Sequence, residues 1–185
     1  MNLGRLVGHT PLIKIGDRLY AKFETYNPSG SIKDRIAYYI LSNAERDGQL
    51  KKGDTIVEAT SGNTGIAVAM FGASKGYAVK IVMPCNMSEE RKQMMRMFGA
   101  TIIEVDPGDF DGAIATRNRM CQESNTFNFN QFHNPDNIAC HYETTGVEIL
   151  EQTKGLPVSA FLDGTGTGGT LMGVSARLKE RYPKI

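Results

Sequence analysis

The chain has 185 residues, 41% hydrophobic and 22% charged, enough to bury a core as one domain or two small lobes. Its 21 Lys and Arg against 20 Asp and Glu leave a formal charge of +1, with neither the basic excess nor the basic stripe of a dedicated nucleic-acid binder. No apolar run has the length to span a bilayer, and the opening Met1-Asn2-Leu3-Gly4-Arg5 lacks the basic-then-apolar pattern of a secretory signal, so a cytoplasmic address is expected.

In chain order, residues 3–15 read as an extended arm that turns at Gly8-His9-Thr10-Pro11, and residues 19–23 as a short strand. Asn27-Pro28-Ser29-Gly30 is a loop. Ser31 opens a helix in which Ile32, Ile36, Tyr39, Ile40 and Ala44 recur at three- and four-residue spacing, ending near Gly48. An alternation comes next. Strands are expected at 55–59, 79–83 and 101–105, and helices at 64–75, 88–97 and 110–121. Three strand-then-helix units with short links are the signature of a parallel sheet covered by helices, an α/β fold. Residues 127–137, rich in Asn, Gln and aromatics, read as loop. A helix over 138–150 leads to a further strand at 158–162, the glycine loop 164–169 and a last helix over 171–181.

Three segments carry chemistry. In Ser31-Ile32-Lys33-Asp34-Arg35, Lys33 stands in the first turn of a helix, where unpaired N–H groups and the helix dipole disfavour positive charge. The amine is pushed toward the neutral form that condenses with an aldehyde; on these five residues alone a solvated surface lysine is the favoured reading. Thr60-Ser61-Gly62-Asn63-Thr64-Gly65 lies between a strand and an apolar helix, with hydroxyls and helix-start N–H groups suited to an anion; a tight capped turn is the plain alternative. Asp163 to Thr170 forms a nest of glycines and threonines that suits a phosphate, against a merely structural turn. It is no Walker loop, and it comes too late for a dinucleotide fingerprint. Gln131-Phe132-His133-Asn134-Pro135 could be a polar lip over a pocket. His133 and His141 read as surface or satisfied helix residues. Cys85, Cys121 and Cys140 form no CxxC pair and no metal cluster with the histidines, so they read as reduced packing residues and no metal is expected.

Taken together, the run Asn27 to Arg35, then Thr60 to Gly65, Gln131 to Asn137 and Gly166-Thr167-Gly168-Gly169-Thr170 resembles the cysteine synthase (O-acetylserine sulfhydrylase) family. Gly8-His9-Thr10-Pro11-Leu12 and His141 to Gly146 match too, and Pro84 to Arg91 leans toward the B-type branch. The family belongs to the fold-type-II, tryptophan synthase beta-like pyridoxal-phosphate enzymes, which also include cystathionine beta-synthase. The resemblance implies pyridoxal 5'-phosphate held by Lys33 as an aldimine, with Lys33 later the base for the substrate's α proton. It implies Asn63 on the cofactor's 3-oxygen and Gly166, Thr167, Gly168, Gly169 and Thr170 around its phosphate. Thr60, Ser61, Gly62, Thr64 and Gln131 would grip the carboxylate of a small amino-acid substrate. The implied reaction makes L-cysteine from O-acetylserine and sulfide or thiosulfate through an aminoacrylate, in a homodimer. Partnership with serine acetyltransferase is not readable from the pattern.

Two departures from the family stand out. Asp163 occupies a place where a small neutral residue is usual, and it is expected to face outward. The family's members are longer, so the chain is expected to hold a small mobile α/β domain, 40–145, and only part of the large cofactor-binding domain, 1–39 and 146–185. An incomplete sheet would leave an exposed apolar face. A cystathionine beta-synthase-like enzyme and a truncated, non-catalytic cofactor-binding protein are the other readings.

Overall fold

The computed structural model describes residues 3–185. They form two compact units, one of Ala37–Gln131 and one of the residues up to Ile36 together with Phe132–Ile185. The sequence reading sets these borders at 39/40 and 145/146; the first border here falls inside a helix.

The second unit opens on a 3-10 turn, Leu3–Leu6, where the sequence suggested extended chain throughout. Next comes a hairpin: β1 (Leu12–Gly16) pairs antiparallel with β2 (Leu19–Lys22), in the register Leu12 to Lys22 and Ile13 to Ala21. A second 3-10 turn, Glu24–Tyr26, precedes the Asn27–Gly30 loop and helix α1 (Lys33–Arg46).

The unit Ala37–Gln131 contains the alternation that the periodicity predicts. Its elements are β3 (Thr55–Ala59), α2 (Asn63–Lys75), β4 (Ala78–Pro84), α3 (Glu89–Met97), β5 (Thr101–Val105) and α4 (Phe110–Met120). A short strand, β6 (Thr126–Asn128), completes a four-stranded sheet of order β5-β4-β3-β6, in which every pairing is parallel. The sequence reading has loop at β6. Its polar neighbours hide it, yet Phe127 and Phe129 are both buried at a spacing of two, the period of a strand. Val57, Ala59 and Val82 pack with Ala113 and Ile114 of α4. Ile56 and Val79 meet α2 at Gly72. Both sheet faces are therefore covered, which explains why α2 is buried continuously from Thr64 to Gly72.

In the other unit the chain from Asp136 to Gln152 winds as α5 (Asp136–Cys140), a π turn (His141–Thr145) and α6 (Gly146–Gln152). The sequence reading expects an uninterrupted helix here. Helix α7 (Gly169–Lys179) then packs Val174 and Leu178 on Ile149, with Phe161 against them. The strand expected at 158–162 does not form, because no other described strand lies beside it to accept its hydrogen bonds. Leu162 is 84% exposed, and Ile15 and Leu19 of the hairpin are exposed as well. A cavity of about 630 Å³ is bounded by β2, Ile32, Ile149 and residues 156–164.

At Gly72 a methyl group would sit 2.4 Å from Cγ2 of Val79, a stiff β-branched side chain on a central strand. Helix propensity favours alanine there by about 1 kcal/mol, but overpacking costs about 1–3 kcal/mol. Gly72→Ala should therefore lower the urea midpoint despite the better propensity, and adding Val79→Ala should recover part of the loss.

Candidate functional site

Within the unit Ala37–Gln131, strand β3 delivers the loop Thr60–Gly62 to the start of α2. Thr60 donates its N–H to the Val82 carbonyl at 3.0 Å, so the loop begins as a continuation of the ladder. The Gly62 N–H points back at Thr60 Oγ1, 3.4 Å away. Asn63 and Thr64 begin a helix of 13 residues, whose first-turn N–H groups lack partners within the helix. Asn63 is exposed and Thr64 buried. The Thr64 hydroxyl donates to Gln131 Oε1 at 2.6 Å. Thr60, Ser61, Gly62, Thr64 and Gln131 thus come together as one polar cluster.

Beneath that cluster lies a group the sequence reading passed over. Glu58 is 0% exposed in mid-sheet. Its carboxylate accepts the Ala59 N–H at 2.6 Å and the Gln131 N–H at 2.9 Å, with Arg117 Nη1 at 3.3 Å. Burial pushes its carboxyl above the ordinary range against the opposing pull of those bonds and of Arg117.

The other unit holds Lys33 and the loop before α7. Lys33 is half-buried at the first residue of α1, and its N–H points at Ser31 Oγ, 3.2 Å away. Its amine is pushed below the ordinary lysine value, by burial; the carboxylate of Asp163 pulls the other way. The sequence argument anticipated the direction but credited the helix start. Asp163 is exposed, as expected, while its charge is still felt at Lys33.

Two residues after Lys33 comes the anchor of this unit. Arg35 is 2% exposed. Its guanidinium donates to Glu24 at 2.7 and 2.8 Å and to Glu148 at 2.7 and 2.8 Å, and also reaches the Thr10 hydroxyl. Glu148 in turn accepts from Lys22 Nζ at 2.6 Å and from the His9 N–H at 2.9 Å. Despite burial these donors hold the Glu148 carboxyl down at about 2. Asp34, on the same turn, accepts the N–H and the hydroxyl of Ser29.

The loop is exposed over Gly164–Gly166 and half-buried at Thr167 and Gly168 before α7, with Gly168 in the left-handed region at φ 81°, a conformation glycine adopts without strain. At Gly169 a methyl group would lie 2.0 Å from Asn137 Oδ1, so the backbone is clamped there. Asn137 also donates to Thr167 Oγ1 at 2.9 Å. Thr170 Oγ1 lies 3.3 Å from His141 Nε2, and Thr145 Oγ1 lies 2.9 Å from the Nδ1 of the same ring. His141 is 0% exposed. Burial, then the charges of Lys33 and Arg35, hold its imidazole at about 3, so it is neutral near pH 7. The sequence reading gave neither Asn137 nor His141 a role in this loop.

These residues fit an aldehyde carrying a phosphate. A glycine-and-threonine cradle at the N-terminus of an 11-residue helix suits the dianion, and an amine biased toward its neutral form suits the carbonyl. Among the described residues no cluster of His, Cys, Asp and Glu could hold a metal, and no helix is long and apolar enough to cross a membrane. The three cysteines are free thiols.

Comparison with known proteins gives a consistent result. The family described as "Pyridoxal-phosphate dependent enzyme" matches residues 3–185. A cysteine synthase of Staphylococcus aureus (strain N315) is 44% identical over 193 residues, covering 100% of this chain and 62% of its own length. Cysteine synthase B of Escherichia coli (strain K12) is 43% identical, covering 99% and 63%. Among solved structures, a hydrogen sulfide-producing enzyme of Fusobacterium nucleatum superposes with a TM-score of 0.94 at 44% identity, over 98% of this chain and 58% of its own. O-ureido-L-serine synthase gives 0.94 at 38%, over 100% and 61%. The chain thus spans about three-fifths of the length of the relatives it matches.

His141 generates a pH prediction. Its folded value of about 3 lies below the free value of 6.5, so the stability it contributes is complete above 6.5 and is lost as the pH falls from there toward 3. Urea unfolding followed between pH 7 and 3 should show His141→Gln with a shallower decline than the wild type, by at most about 1.4 kcal/mol per pH unit, one proton's worth. Parallel slopes in the two proteins would count against a neutral buried ring.

Proposed function

The chain belongs to the pyridoxal-phosphate dependent enzymes, within the cysteine synthase group, and on that premise we propose that it is the cofactor-anchoring part of a β-replacement enzyme acting on an O-activated serine. The net reaction exchanges the acetyl ester of O-acetylserine for a sulfur nucleophile, giving L-cysteine and acetate. The observation that supports this best is local to one unit. The Thr170 hydroxyl of the glycine loop lies 3.3 Å from the ring of a fully buried His141, in the unit that also holds Lys33.

Pyridoxal phosphate, when bound, supplies an electron sink for the negative charge that develops at the substrate's α carbon. Lys33 Nζ would hold the cofactor, and its free amine would receive the α proton of the substrate. Burial shifts that amine below the ordinary lysine value, in the direction that favours a proton acceptor. Gly166, Thr167, Gly168, Gly169 and Thr170 hold the phosphate through backbone N–H groups and hydroxyls, and His141 and Asn137 hold the loop in turn. Asn63 would hydrogen-bond the cofactor. Thr60, Ser61, Gly62, Thr64 and Gln131 bind the α-carboxylate through hydroxyls, a side-chain amide and helix-start N–H groups. The substrate class is supported by relatives named for cysteine synthesis and for O-ureido-L-serine synthesis. Both names end on a three-carbon amino acid with a heteroatom on its β carbon, and they differ in that substituent. A homodimer in the cytoplasm belongs to the same reading.

The experiment is a visible spectrum of the purified chain after incubation with pyridoxal phosphate and removal of the excess. A visible band is expected in the wild type, absent in Lys33→Ala, and shifting on addition of O-acetylserine with release of acetate. A band that survives Lys33→Ala would remove Lys33 from the cofactor, and a wild-type chain that stays colourless would sink the anchoring role.

A further inference from the structure

The unit Ala37–Gln131 keeps a carboxylate where its own packing would favour a hydrocarbon. Ile56 and Val57 precede Glu58 on β3, and all three are fully buried. A buried acid–guanidinium pair is seldom retained for stability, since desolvating both charges offsets their attraction. Here the pair is long at 3.3 Å, while the two shorter contacts of Glu58 run to backbone N–H groups.

Those two N–H groups belong to the two chain segments that form the polar cluster. Ala59 leads directly into Thr60–Gly62. Gln131 closes the cluster from the other side, its amide oxygen accepting the Thr64 hydroxyl at 2.6 Å. The path from Oε1 through Ala59, the loop and Thr64 to Gln131, and back to Oε2, is a closed ring of covalent and hydrogen bonds. We infer that Glu58 is the positioning residue of this carboxylate-binding loop, one buried acid that sets the separation of its two walls. This rests on the reading of Thr60–Thr64 and Gln131 as the grip on an amino-acid carboxylate. Glu58 touches no substrate itself; it acts through the loop and through Gln131. Only a group with two acceptor oxygens and no donor satisfies both N–H groups at once. A glutamine of the same shape accepts one and turns its NH2 against the other.

The test uses the full chain loaded with pyridoxal phosphate, as wild type, as Glu58→Gln, and as Glu58→Gln with Arg117→Met. The double variant leaves no buried guanidinium without a counter-charge, so it separates loss of the pair from loss of the fold. Calorimetry measures binding of L-serine and of 2-aminoethanol, which has the same amine and hydroxyl without the carboxylate. Hydrogen exchange reports the Gln131 amide. In both variants L-serine should bind about tenfold or more weaker, with 2-aminoethanol little changed, cofactor retention unchanged and the Gln131 amide exchanging faster. Equal weakening of the two ligands would make Glu58 a general stability residue. Unchanged L-serine binding with a deprotected Gln131 amide would overturn the inference while leaving the carboxylate grip intact. A wild type that does not prefer L-serine would remove the carboxylate reading and the inference with it.

Discussion

Arg35 has almost no access to water, and everything in its unit is arranged to meet that condition. Its guanidinium is satisfied only if Glu24, Thr10 and Glu148 all arrive, and they come from the start of the chain and from a helix more than a hundred residues later. Removing one acid would strand a buried charge, a loss of about 3–5 kcal/mol. The same helical turn carries Lys33. The amine proposed to hold the cofactor is useful only if its backbone does not wander, and the two acids bonded to the next residue but one supply that rigidity. Chemistry and anchorage are thus adjacent in sequence, and the short run Lys33-Asp34-Arg35 has each residue committed to a different task.

The proposed roles of the two units differ in charge. In the one with the hairpin and α7, a loop of glycine and threonine is proposed to take a phosphate. In the one with the parallel sheet, hydroxyls and helix-start N–H groups are proposed to take a carboxylate. Each cradle sits at the N-terminus of a helix, where orphan backbone donors are a geometrical given. In both cases a buried side chain stands behind the cradle: His141 behind Thr170, and Glu58 behind Gln131.

Much of this was legible in the residues. The alternation from Thr55 to Met120 repeats a strong local pattern, and its strands and helices fall within a residue or two of expectation. The loops could be found because glycine and threonine cluster visibly. What escaped notice depends on partners distant in sequence. Residues 158–162 have the composition of a strand, but a strand is a pairing and no described partner exists. Thr126–Asn128 looks like loop and pairs with β3, its reason lying seventy residues away. Glu58 and His141 escaped for the same cause, since nothing local announces that a Glu beside Ile and Val, or a His among polar helix residues, is fully buried. The lowered lysine value was anticipated, but from the wrong force: the helix start is visible in a sequence and desolvation is not.

The π turn at His141–Thr145 has a consequence of phase. His141 and Glu148 are seven residues apart, nearly two full turns, so an unbroken α-helix would set both on one side. Yet His141 bonds to Thr170 of the phosphate cradle and Glu148 to Arg35. The widened turn takes in one extra residue and offsets the rest of the helix by about 100°. It works as a gear tooth inserted into a screw, letting a single helix mesh with two mechanisms at different angles. Such a helix cannot tolerate the loss of a residue there, because any change of length in the turn would re-aim one contact at the expense of the other.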